Sequence, residues 1–156
     1  MFEGVKRAYV LLVFYVMEVI EQLGTEPAIN MLLHAADRQG ALIAREVKHI
    51  IPEDASPLEK GELVYQTFMS EAGADISEYK RDETSVTFLI KRCPFYEAFL
   101  DVGVDCGMFL NGLCSNLTLP AIQASLIYFN PNLRVEPVLT RETAEELCLE
   151  RVYLVE

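Results

Sequence analysis

Cys93 is the residue in this chain best placed to do chemistry. It stands directly before Pro94, and proline is favoured at the first position of a helix, where its missing N–H costs nothing. A cysteine in the capping position faces unpaired backbone N–H groups and the positive end of the helix dipole, both of which favour a thiolate. Lys91 and Arg92 place positive charge just before it. Cys93 is therefore expected to be the most acidic of the four thiols, and a candidate catalytic nucleophile or soft metal ligand. The competing reading is a cysteine that fills a small apolar space.

The other thiols are Cys106, Cys114 and Cys148. On one continuous helix, Cys106 and Cys114 would be rotated by about 80° and separated by roughly 12 Å, too far to share a metal. No CxxC pair is present, so the strong zinc signal is missing. A metal set of Cys93, Cys114 and Cys148 with His34, for zinc or another transition metal, requires the fold to gather distant residues. His34 has Asp37 one turn away to orient an imidazole, but its neighbours Leu32, Leu33 and Ala35 suit a core histidine equally well. Glu46-x-x-His49 is one arm of a helical di-iron pattern without the second arm. There is no Gly-rich phosphate loop, GxSxG elbow or HExxH motif.

Aromatic residues follow Cys93 closely. Phe95, Tyr96, Phe99 and Phe109 lie in a stretch, from Cys93 to Leu133, that contains no Lys or Arg. They are core residues or the wall of an apolar pocket. A ligand held mainly by this stretch is expected to be hydrophobic or uncharged, not a phosphate ester. The net charge of -11 over 156 residues argues against nucleic acid or an anionic membrane surface as partner.

The elements that must position these residues can be read from periodicity. Met1 to Leu23 is a helix that is apolar on every side through Tyr9–Val16, so it is expected to be buried all round. A terminal helix is rarely enclosed by its own small domain, which points to a homodimer through this helix. At 13 residues, the apolar run Ala8–Ile20 is too short for a span of roughly 20, and no cleavage site follows it; a cytoplasmic protein is the expectation. Gly24 ends the helix and Thr25-Glu26-Pro27 starts a second. Ser56-Pro57-Leu58-Glu59 combines a cap, a first-position proline and a capping box, predicting a third helix to about Ala72.

The period then changes. Ile76–Arg81 and Thr84–Arg92 read as a hairpin turning at Asp82-Glu83, with Val86, Phe88 and Ile90 on one face. Helical segments occupy Pro94–Leu100 and, with a break near Leu119-Pro120, Val104–Phe129. Leu133–Leu139 and Cys148–Val155 form a second hairpin across a polar connection. The chain is expected to be a single α+β domain over residues 1–156, with N-terminal helices packed on a four-stranded antiparallel sheet and a helical insertion between two hairpins.

Arg92-Cys93-Pro94-Phe95 at the end of a strand, the aromatic helix, Leu113-Cys114, Phe129-Asn130-Pro131 and Cys148 occur in an order that resembles the 4-vinyl-reductase-like small-molecule-binding domains. The order is also similar to the proteins related to 2-amino-thiazoline-4-carboxylate hydrolase. The resemblance covers roughly residues 84–155 and favours Cys114 over Cys106. It implies an often dimeric α+β domain with an enclosed cavity for a hydrophobic small molecule and a cysteine-held metal. The alternative it implies is a cysteine- or metal-dependent hydrolase of a small heterocycle; Cys93 would then be the catalytic nucleophile or a metal ligand, and His34, outside the resemblance, a candidate base. Two departures weigh against hydrolysis: Ser115, Asn116 and Leu117 follow Cys114 where an acid is expected, and Ala144–Leu147 replaces a glycine-containing turn.

Overall fold

The computed structural model describes residues 1–103, 114–143 and 145–155. It is an α+β fold in the expected order. Helices α1 (Phe2–Leu23), α2 (Thr25–Val47) and α3 (Pro57–Ala72) precede a hairpin of β1 (Asp75–Arg81) and β2 (Ser85–Arg92). Helix α4 (Pro94–Asp101), a π-helical turn (Cys114–Thr118) and α5 (Leu119–Leu126) lead to the second hairpin, β3 (Leu133–Leu139) and β4 (Cys148–Leu154).

Local chemistry explains where the elements begin and end. At α3, Ser56 Oγ accepts from the Glu59 N–H at 3.3 Å while the Glu59 carboxylate accepts from the Ser56 N–H at 2.7 Å. This is the reciprocal box foreseen from the sequence, and Gly73 closes the helix in the left-handed conformation at φ 84°. The break near Pro120 is a change of helix type: the π-helical turn ends at Thr118 and α5 starts at Leu119.

The two hairpins join into one antiparallel sheet of order β1-β2-β4-β3. Strands β2 and β4 are central, with Phe88 opposite Glu150 and Ile90 opposite Cys148. Val86, Phe88 and Ile90 of β2, with Cys148, Glu150 and Val152 of β4, are all buried. Along β4 these alternate with the less buried Leu149, Arg151 and Tyr153, as a half-buried strand requires. Helix α3 packs on the buried face, where Tyr65 stacks on Phe88 at 4.6 Å between ring centroids. Helix α5 is tied to the edge strand by Gln123, which donates to the Leu133 carbonyl and accepts from the Val135 N–H, both at 3.0 Å.

Helix α2 runs against α5 at very short range. A Cβ at Gly40 would fall 2.4 Å from Ala124 Cβ and 2.7 Å from its carbonyl carbon, so only glycine permits this approach. Helix α1 lies against α4, with Val13 and Val16 buried and the Tyr9 ring tilted against Phe95 at 4.3 Å between centroids. All-round burial of α1 does not hold within one chain. Leu11 is 70%, Phe14 49% and Tyr15 62% exposed. No helix among the described residues is long and apolar enough to cross a membrane.

Candidate ligand-binding site

Cys93 occupies the corner where β2 ends and α4 begins, in an extended conformation with Pro94 at the first helical position. Its expected acidity is reversed. The side chain is 7% exposed, and burial pushes the thiol up to about 12. The backbone N–H groups of Tyr96 and Phe95 favour the thiolate, as a helix N-terminus should, while Glu150 and Cys148 disfavour it. Loss of hydration outweighs the helix end. Burial therefore favours the protonated thiol of Cys93.

Behind Cys93 lies a polar centre inside the sheet–helix interface. Tyr65 Oη donates to Glu150 Oε2 at 2.5 Å, and both residues are buried. Burial raises the Glu150 carboxyl above its ordinary range, with the Tyr65 hydrogen bond and the positive charge of Arg141 opposing. Tyr65 is raised by burial first and by Glu150 second. A buried carboxyl held this way favours its neutral form.

Arg141, in the connection between β3 and β4, is only 4% exposed. Its Nη2 donates to the Ile90 carbonyl at 2.6 Å, Nη1 to the Lys91 carbonyl at 3.0 Å, and Nε to Cys148 Sγ at 3.2 Å. The guanidinium also lies over the Tyr96 ring, 4.9 Å from its centroid. One side chain thereby fastens the connection to the end of β2 and supplies a cation beside Cys93, Cys148 and Glu150.

This centre meets the surface in a cleft of about 410 Å³ lined by Lys91, Arg92, Cys93, Tyr96, Glu97, Leu100, Asp101 and Arg141. Its inner wall is Cys93, Tyr96 and Arg141, all buried, and its rim is charged. Arg92 pairs with Glu97 at 2.9 Å and lies over the Phe2 ring at 3.8 Å, while Asp101 pairs with Lys6 of α1 at 3.1 Å. Phe95 and Phe99 are buried on the same helix as Tyr96. Tyr9, whose hydroxyl is pushed up by burial, faces Thr118 and lies within electrostatic reach of Cys93 and Cys114.

The candidate metal residues fare differently. Cys93 and Cys148 come into one neighbourhood, and Cys114 is half-buried at the head of the π-helical turn. His34 is exposed on α2, in a shallow groove with Asn30, Met31, Ala35 and Arg38, apart from the thiols. Among the described residues no three His, Cys, Asp or Glu side chains are gathered to hold a metal ion. Cys106 and Phe109 lie outside the described residues.

Sequence reasoning placed Cys93 and Tyr96 at the site and missed Arg141, Glu150 and Tyr65. The parity of β4 carries a signal for Glu150, since it shares a face with Cys148 and Val152. Nothing in the polar run Thr140–Glu145 marks Arg141 out.

No family model matches the sequence, and no curated protein matches it either. Solved structures do match in fold. The crystal structure of the phenol-responsive sensory domain of the transcription activator PoxR with phenol superposes with a TM-score of 0.63 at 11% identity, covering 94% of this chain and 74% of that one. Trafficking protein particle complex subunit 3 from Naegleria fowleri, covalently bound to palmitic acid, matches with a TM-score of 0.53 at 15% identity, covering 97% of each chain. At these identities the likeness is one of fold.

Proposed function

We propose that this chain is a small-molecule-binding domain whose ligand, mostly hydrophobic, enters the cleft at the start of α4. The observation that carries this is the cleft's construction. A volume of about 410 Å³ falls within the roughly 300–1,000 Å³ of small-molecule sites, and its inner wall is an aromatic ring, a neutral thiol and a fixed guanidinium. Tyr96 offers a ring face, with Phe95 and Phe99 as the buried aromatic wall behind it. Two structures of like fold, one with phenol and one covalently bound to palmitic acid, support the reading. So does the order of motifs shared with the 4-vinyl-reductase-like domains. Cys93 serves here as a wall of the pocket; its raised pKa gives no support to hydrolysis.

The test is calorimetric titration of the full chain with p-cresol, 1-naphthol and 4-methylbenzyl alcohol. Saturable binding that weakens in Tyr96→Ala, with the fold retained by circular dichroism, supports the reading. No binding of any probe at millimolar concentration ends it.

A homodimer through α1 belongs to the same proposal. Leu11, Phe14 and Tyr15, spaced to share one face of α1, stay exposed in one chain, and a second copy would cover them.

A further inference from the structure

We propose that the ligand of the α4 cleft carries a single carboxylate, which docks between Arg141 and Lys91 while its apolar body lies on Tyr96. The inference rests on the cleft being a ligand site and adds the ligand's charge.

The first support is the balance of charge. The protein has a net charge of -11, yet the cleft is lined by three cationic side chains, Lys91, Arg92 and Arg141, and two anionic ones, Glu97 and Asp101. Arg92 is bound to Glu97, and Asp101 is bound to Lys6 from outside the cleft. Lys91 and Arg141 therefore remain without a carboxylate ion-paired to them among the described residues. Two cations left without an ion-paired carboxylate suit an anionic group on the ligand. The stretch from Cys93 to Leu133 has no Lys or Arg; the fold adds to the cleft one cation from the end of β2 and another from the β3–β4 connection.

The second support is the state of Arg141. Its three nitrogens each make one hydrogen bond, which leaves one N–H on each terminal nitrogen without a partner among the described residues. The side chain is held by backbone carbonyls and a ring, so its orientation is fixed before a ligand arrives. A preorganised, poorly hydrated guanidinium binds carboxylates more strongly than a mobile surface cation. The third support is position. The cleft runs along α4 from Cys93 to Asp101, and Arg141 and Lys91 meet it beside Cys93, at the helix's N-terminal end, whose dipole favours an anion.

The experiment compares 4-methylbenzoate, 4-methylbenzyl alcohol and 4-methylbenzylamine by calorimetric titration of the full chain. The carboxylate is expected to bind about tenfold tighter than the alcohol, and the amine most weakly. Lys91→Glu is expected to remove most of the carboxylate's advantage over the alcohol. Lys91 is exposed, so this variant should fold. Arg141→Lys should reduce the advantage as well, and if it fails to fold, Lys91→Glu still decides. Equal binding of carboxylate and alcohol overturns the carboxylate but leaves the cleft as a ligand site. A carboxylate advantage that survives Lys91→Glu overturns the location. Failure of all three probes to bind overturns the carboxylate and the cleft together.

Discussion

Two regions of this molecule invert the usual rule of apolar inside and polar outside. On the buried face of the sheet, Glu150, Tyr65 and Arg141 sit among Phe88, Ile90 and Val152. On α1, Leu11, Phe14 and Tyr15 face solvent. The buried polar side chains have partners: the Tyr65 hydroxyl has a carboxylate, and each nitrogen of Arg141 has an acceptor. Leu11, Phe14 and Tyr15 of α1 have no such cover among the described residues. A buried polar group left unmatched costs far more than an exposed leucine, so only the inner exception must be resolved by the chain itself. The outer one is free to serve association.

Breaking the inner region should therefore have the largest effect. Arg141→Met strips hydrogen bonds from the Ile90 and Lys91 carbonyls and from Cys148, and a loss of about 3 kcal/mol is expected, at ~1–3 kcal/mol for each buried group left unmatched. Urea unfolding with the slope held constant measures it. A loss below ~1 kcal/mol would mean that the connection relaxes and the carbonyls find water.

Tyr65→Phe is expected to cost less, about 2 kcal/mol, because it removes one donor from one buried carboxyl. Combining it with Glu150→Leu sharpens the comparison. The double variant should lose less than the two single losses added together, since replacing both partners removes the unmatched group as well as the bond. Simple additivity in the same urea series would show that Tyr65 and Glu150 do not act as a pair.

The effect of pH is smaller and has a definite sign. The Glu150 carboxyl is raised above its ordinary value of 4.5 by burial. Its favourable contribution is thus fully present below pH 4.5 and is lost as pH rises through the folded-state value. Glu59 behaves in the opposite way: the Ser56 hydrogen bonds lower its carboxyl, so its contribution is present above 4.5 and lost as pH falls. Glu150→Gln should flatten the decline of stability on the alkaline side of 4.5. Ser56→Ala should instead soften the decline on the acid side. Melting curves across this range, compared with those of the unsubstituted chain, separate the two; an unchanged alkaline slope in Glu150→Gln would show that Glu150 is not the group responsible.

The elements were legible because each is written in local chemistry. The box at Ser56 and Glu59, the Cys93-Pro94 junction and the alternation of Val86, Phe88 and Ile90 need only a few adjacent residues to be read. Two residues singled out from the sequence, Cys93 and Tyr96, line the candidate cleft. Its electrostatics were not. Helix-end logic makes Cys93 acidic, but burial beneath residues from other elements makes it the reverse. Glu150 lies two residues from Cys148 and 85 from Tyr65, and Arg141 binds carbonyls 50 and 51 residues earlier. Such pairings depend on which strands become neighbours, and β2 beside β4 is a property of topology that neither hairpin encodes alone.

The smallest effect on a single chain is expected on the outer region. Leu11→Ser with Phe14→Ser alters side chains that are 70% and 49% exposed, and surface changes of this kind shift stability by about 0.5 kcal/mol or less. Association should respond much more. If α1 pairs with a second copy, the melting temperature of the unsubstituted chain rises with protein concentration, because the dimer binds only folded chains. The double variant should lose that dependence and sediment as a monomer, while its midpoint at the lowest concentration stays where it was. Val13→Ser provides the contrast from the other face of the helix. Val13 is fully buried against the chain's own core, so its loss should destabilise at every concentration by about 1–3 kcal/mol. Equal sensitivity of both faces at all concentrations would show that α1 is enclosed within a single chain, and the contrast between the two regions would disappear.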